Sequence, residues 1–129
     1  MSWKVRRASA KCFAAFVATS TTVNGDLGKV GSLLIQRTRE REESVLIEVL
    51  HALRSLIKRL GASGQEGSLK CLDDEALVTA TLRLLKSPKT KVVQATILNL
   101  IAICEADATF LAKSLGRIIQ PIRYVTVCP

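Results

Sequence analysis

Few side chains in this 129-residue sequence are of a type that does covalent or metal chemistry. His51 is the only imidazole, so a Ser-His-Asp or Cys-His arrangement would have to be built on it. It sits between Leu50 and Ala52 in a helically periodic stretch, no G-x-S-x-G motif accompanies it, and it reads as a helix-surface or packing residue. The four cysteines, Cys12, Cys71, Cys104 and Cys128, show no C-x-x-C spacing. Zinc takes four N or S ligands that usually arrive in close pairs, so neither a metal nor a cofactor is expected. Cys12 and Cys104 lie among apolar residues and should pack as small, reduced hydrophobes. Asp73-Asp74-Glu75 suits the start of a helix, where the backbone dipole favours negative charge, better than a calcium loop. Gly25, Gly28 and Gly31 form G-x-x-G-x-x-G, which is neither a P-loop nor a dinucleotide fingerprint. These residues point away from an enzyme.

What remains is charge. The chain has 19 basic and 11 acidic residues, a net +8, of which +6 lies in residues 1–59 and +2 in residues 60–129. A basic face suits nucleic acid, an anionic membrane surface or an acidic protein. Lys4, Arg7 and Lys11 are spaced to share one face of a helix. The densest charge run is Arg37-Thr38-Arg39-Glu40-Arg41-Glu42-Glu43. Its basic residues end one helix and its acidic residues begin the next, as helix dipoles favour. Single-stranded nucleic acid would call for aromatics interleaved with the bases. Trp3 and Tyr124, the polar-tipped aromatics, lie at opposite ends of the chain instead. The candidate protein-binding residues are therefore Lys4, Arg6 and Arg7 on a long helix, with Arg37, Arg39 and Arg41 in a turn at its edge.

The elements that position these groups are legible from periodicity. Three segments, Val5–Val17, Val45–Ile57 and Val92–Cys104, align without gaps at offsets of 40 and 47 residues. Each carries apolar residues at relative positions 1, 9, 12 and 13, which is one stripe of a helix. Shorter amphipathic stretches lie between or after them at Gly28–Thr38, Asp74–Lys86 and Ala108–Gln120. Alternating long and short helices at this period are the mark of HEAT or armadillo solenoids. Hydrophobic residues make up 48% of the chain but aromatics only 4%, and an aliphatic core suits helix-on-helix packing. Asn24-Gly25 predicts a tight turn and Gly61–Ser68 a flexible loop. Ser87-Pro88 predicts a helix start with a capping hydroxyl. No apolar run approaches the roughly 20 residues that span a bilayer. The stretch before Asp26 is basic and acid-free, as in a transit peptide, but its match to the repeat favours a first structural helix.

Met1–Cys12 (MSWKVRRASAKC), Arg39–Lys58 (REREESVLIEVLHALRSLIK) and, more loosely, Leu84–Ile101 (LLKSPKTKVVQATILNLI) resemble successive segments of the cullin-associated, neddylation-dissociated (Cand) proteins. The resemblance covers residues 1–122. It implies a HEAT superhelix that wraps an unmodified cullin–RING ligase scaffold, competes with substrate-receptor adaptors and promotes their exchange. Met1 falls on an internal methionine of the family motif, the Gly61–Ser68 region is shorter, and residues 123–129 have no counterpart.

The expectation is thus an all-α HEAT-type solenoid of about six helices in antiparallel pairs. It occupies residues 1–122 and ends in an irregular tail at 123–129. It should act as a protein–protein module of the cullin–RING system in the cytoplasm or nucleus, with mitochondrial targeting as the alternative address. The alternative functions are a basic scaffold for nucleic acid or another anionic partner, or a truncated product without activity of its own. Terminal solenoid repeats need polar caps, yet Phe13, Phe16 and Val17 stand on the first helix. A marginal monomer, or a homodimer through the uncapped end helices, follows.

Overall fold

The computed structural model describes residues 2–19, 24–62 and 67–127. These form six α-helices and one short 3-10 turn, Ala112–Ser114, with no strands among the described residues. The helices are α1 (Trp3–Thr19), α2 (Asn24–Arg37), α3 (Glu43–Gly61), α4 (Asp74–Leu85), α5 (Thr90–Ala106) and α6 (Leu115–Val127). The long helices α1, α3 and α5 begin at residues 3, 43 and 90, and so repeat the 40- and 47-residue offsets of the apolar stripe.

Cross-helix contacts give the direction of every element. Near the start of α1, Arg6 reaches Glu40 just before α3, while at the C-terminal end Arg59 Nη1 donates to the Val17 carbonyl. Helices α1 and α3 therefore run parallel. The same holds for α3 and α5: Lys89 Nζ donates to the Arg41 carbonyl near their starts, and Gly61 abuts Ala106 at their ends. In the other set, Thr38 meets Arg83 at the C-terminal ends of α2 and α4, and Arg117 meets Glu75 near the N-terminal ends of α6 and α4. Helices α2 and α3 are joined by the short connection 38–42 and pack on each other, with Gly31 against Leu56, so the two sets run antiparallel. The long helices form one layer and the short helices the other, a helical repeat stack.

Helix α3 sits at the centre of the long-helix layer. It packs on α1 on one side, α5 on the other and α2 beneath. Nine of its nineteen residues are buried, including Leu50, Leu53, Leu56 and Ile57. Where α3 and α5 converge, a Cβ on Gly61 would lie only 2.4 Å from the Cβ of Ala106. Glycine is there for close approach, since α3 continues through it to an ordinary right-handed cap at Ala62.

Local chemistry sets several boundaries. Asp73 caps α4 by accepting from the Ala76 N–H at 3.2 Å, as its sequence position implied. Ser87 does not cap α5. That helix begins at Thr90 behind Lys89, and the Ser87 hydroxyl closes the preceding turn by accepting from the Lys89 N–H. Asn24 and Gly25 are the first residues of α2 rather than a turn, and residues 20–23 lie outside the described residues. The far end of the Gly61–Ser68 stretch is tied down, because Ser68 Oγ donates to the Ala106 carbonyl and Leu69 beside it is fully buried. Residues 63–66 of that loop lie outside the described residues.

The last helix departs most from the sequence reading. Asp107 follows α5, and its carboxylate accepts from the Thr109 N–H and hydroxyl. This Asx-type turn diverts the chain, so α6 starts at Leu115 rather than Ala108. It then continues to Val127, through most of the stretch read as an irregular tail. Pro121 lies inside it and offers no N–H to the Arg117 carbonyl.

Candidate protein-binding surface

The starts of α1, α3 and α5 line one edge of the stack, and the turns before α3 and α5 carry much of its charge. The six candidate basic residues divide into two groups there. Arg6 and Arg7 are turned toward α3. Arg6 Nε donates to Glu40 Oε2 at 2.9 Å and its Nη2 to Oε1 at 3.0 Å, a two-pronged ion pair. The guanidinium holds the Glu40 carboxyl below its ordinary range, mainly through that hydrogen bond. Arg7 Nε and Lys11 Nζ approach Glu48 at 3.9 and 4.0 Å, and the Arg7 Nε is itself buried without a hydrogen-bond partner. Lys4, Arg37, Arg39 and Arg41 are exposed. Lys4 lies 5.8 Å from the Trp3 ring centre, and Arg37 stands in the last turn of α2. The structure therefore joins the Arg39–Arg41 turn to Arg6 and to Lys89 at one edge, but it commits Arg6 to holding α1 on α3.

Sequence reasoning missed Arg83 and Thr38. Thr38 is buried at 2% exposure. Its hydroxyl donates to the Ile35 carbonyl at 2.5 Å and accepts from Arg83 Nη2 at 2.9 Å. Burial, and then Arg39, push the Arg83 guanidinium below its usual value. Arg39 and Arg83 lie at one end of a groove of about 400 Å³ between α2 and α4, with Asp73 and Glu75 at the other end. The only hint in the sequence was a cation set into the apolar run Leu82–Leu85.

Apolar surface is left open on the outer helices. Val5 and Phe16 of α1 are each 51% exposed, and Ile101, Leu115 and Ile119 lie open on α5 and α6. A second groove, of about 410 Å³, runs between Ile97, Ile101, Cys104 and Ile122. Cys104 occupies the repeat position of Val17 and Ile57. Those two are buried by the next long helix, whereas Cys104 is exposed, as are Cys12 and Cys71. The expectation that Cys12 and Cys104 pack as small hydrophobes therefore fails on both, since each is exposed. Cys128 lies outside the described residues. His51 is exposed on α3. Among the described residues no three His, Cys, Asp or Glu side chains gather as a metal site, and no helix is long and apolar enough to cross a membrane.

Comparison with known proteins finds sequence relatives. The chain is 33% identical to Cullin-associated NEDD8-dissociated protein 1 of Arabidopsis thaliana, over 94% of its own length and 11% of the relative's. It is 31% identical to Cullin-associated NEDD8-dissociated protein 2 of Mus musculus, over 74% of this chain and 8% of the relative. With protein 1 of Drosophila melanogaster the identity is 42%, over 45% of this chain and 5% of the relative. The chain thus spans only about a tenth or less of the relatives it matches. No family model matches it. No solved structure matches it either.

Proposed function

From the premise that this sequence fits a fragment of a Cullin-associated NEDD8-dissociated family protein, we propose that the chain is a non-enzymatic protein-binding module of the cullin–RING ubiquitin ligase system. In this reading the HEAT-type, armadillo-like stack binds a cullin scaffold or competes with a full-length relative for it. It thereby bears on assembly and exchange of SCF-type complexes in the cytoplasm or nucleus. The observation that carries the reading is the similarity to the Arabidopsis relative along 94% of the chain. The exposed cations Lys4, Arg37, Arg39 and Arg41 supply an edge for an acidic partner surface. Arg6 and Arg7 support that edge from within the stack.

The test is capture of purified, unmodified cullin–RING scaffold by the tagged chain, beside a Leu53→Asp control whose core is broken. Saturable binding by the native chain alone is the expected result. Equal retention by both would remove cullin binding from the account. Reversing Arg39 and Arg41 to Glu should weaken capture at least tenfold if the edge is the contact.

Association of copies is a second reading, favoured by the open apolar residues at the two ends of the stack, Val5 and Phe16 at one and Ile101 and Leu115 at the other. A contact between different faces is head-to-tail and builds open chains or rings rather than a two-fold dimer. Sedimentation should then show a concentration-dependent series of species that Phe16→Ser abolishes. A single monomeric species at all concentrations would exclude it.

A further inference from the structure

The groove between α2 and α4 holds two cations without a counter-ion. Arg39 and Arg83 form no ion pair with any carboxylate among the described residues. The two carboxylates in the same groove stand at its other end, away from both arginines, where Glu75 meets Arg117 at 3.0 Å and Asp73 caps α4 through one of its oxygens. Arg83 is also held in place. One of its amino groups is fixed on Thr38 Oγ1, which is itself oriented by the Ile35 carbonyl. A guanidinium anchored at one nitrogen keeps its other N–H groups in a fixed fork. Arg39 stands at the same end of the groove, and two guanidiniums there repel each other until an anion lies between them. A carboxylate would offset one charge, whereas a phosphoryl group carries close to two and offers three acceptor oxygens.

The rest of the groove narrows the source of that phosphoryl group. Asp73 and Glu75 lie eight or more residues before Arg83 on one helix, roughly 12 Å away along its axis. A polyanion such as nucleic acid or an anionic membrane would extend over these carboxylates and be repelled. A peptide bearing one phosphate and one cation about four residues apart fits both ends when extended. We propose that the α2–α4 groove binds a phosphorylated side chain of a partner protein through Arg39 and Arg83, with a basic residue of that segment over Asp73 and Glu75. This extends the protein-binding reading to the chemistry of the partner, and it rests on that reading only in requiring a protein partner.

The experiment is an NMR titration of the ¹⁵N-labelled chain, following the arginine side-chain N–H signals. The probes are a nine-residue peptide with phosphoserine and a lysine four residues later, its serine and glutamate counterparts, inorganic phosphate, and a single-stranded oligonucleotide. The phosphopeptide should shift the Arg83 and Arg39 signals and bind at least tenfold tighter than any other probe. Arg83→Met and Arg39→Met should each weaken it at least tenfold, while Lys113→Met, which removes an equal charge elsewhere, leaves it unchanged. Far-UV circular dichroism checks that each variant is folded, and Arg39 is exposed enough that its replacement leaves the core intact. Equal affinity for the glutamate peptide, the oligonucleotide or inorganic phosphate would overturn the proposal, as would an equal loss in Lys113→Met. None of these results bears on cullin capture, which is read separately.

Discussion

Helices α1 and α3 carry apolar side chains at the same four repeat positions and use them differently. In α3, Val45, Leu53, Leu56 and Ile57 are all buried, none above 2% exposure. In α1, Val17 is fully buried, Phe13 is half-buried, and Val5 and Phe16 are half exposed. The pattern of residue types is shared, so the pattern cannot set the burial. What differs is the flanking of each helix: α3 packs between α1 and α5, whereas among the described residues the extensive contact of α1 is with α3. In a stack, each long helix completes the core of the next, and α1, with no long helix on its outer side among the described residues, keeps half of its apolar stripe in water.

The largest test of this contrast substitutes one repeat position in both helices. Leu56 and Phe16 are equivalent at the 40-residue offset, yet Leu56 is 0% and Phe16 51% exposed. Leu56→Ala should cost about 2–5 kcal/mol. Phe16→Ala, for which little apolar area leaves the core, should cost under about 1 kcal/mol. Urea unfolding of both variants measures the difference. Comparable losses would mean that the outer face of α1 is covered in solution, and the contrast would disappear.

A smaller test compares two glycines. At Gly61 an added Cβ would meet the Ala106 Cβ at 2.4 Å and its Cα at 2.8 Å. Backbone cannot swing aside, so Gly61→Ala should force the ends of α3 and α5 apart at about 1–3 kcal/mol. Gly116 of α6 meets nothing within 4 Å, and Gly116→Ala should stabilise by up to about 1 kcal/mol through helix propensity. Melting temperatures moving in opposite directions are the expected result. A shift of the same sign in both would show that the α3–α5 contact is looser than its geometry.

The smallest effect is in acid. Hydrogen bonds from Thr109 hold the Asp107 carboxyl below its ordinary value, and Arg6 does the same for Glu40. Both groups take up a proton less readily in the folded chain than in the unfolded one. Their contribution is complete above the unfolded values near pH 4 and is lost as pH falls through the lower folded values. Asp107→Asn should flatten the fall in stability below about pH 4, because the amide does not titrate. An unchanged acid limb would show that Asp107 contributes nothing there. The Glu40 contribution belongs to the contact of α1 with α3, and that of Asp107 to the turn before α6.

Much of the fold could be read from local signals. The stripe offsets placed the long helices, Asp73 placed the start of α4, and the Gly61–Ser68 loop placed the end of α3. The misreadings arose where a longer-range or side-chain interaction outweighed a local preference. Ala108–Ser114 has helical character, but the Asp107 carboxylate captures Thr109 and delays α6. Ser87-Pro88 has the look of a helix start, but the turn it closes places the start at Thr90. Of the candidate surface, Arg37, Arg39 and Arg41 were visible as a charge run. Their separation in role from Arg6 was not, and neither was the involvement of Arg83.

By itself the sequence determined the helical class, the order of long and short helices and the kinship with the cullin-associated proteins, because each depends on residues close together in the chain. Only the tertiary structure decided which apolar stripe is buried, which arginine is consumed by a carboxylate and which stays available. Arg6 and Glu40 are 34 residues apart, and Arg83 and Thr38 are 45 apart. Periodicity orients a side chain around its own helix axis. The charge or surface it then meets is set by the packing of one helix on another, and that depends on the whole stack at once.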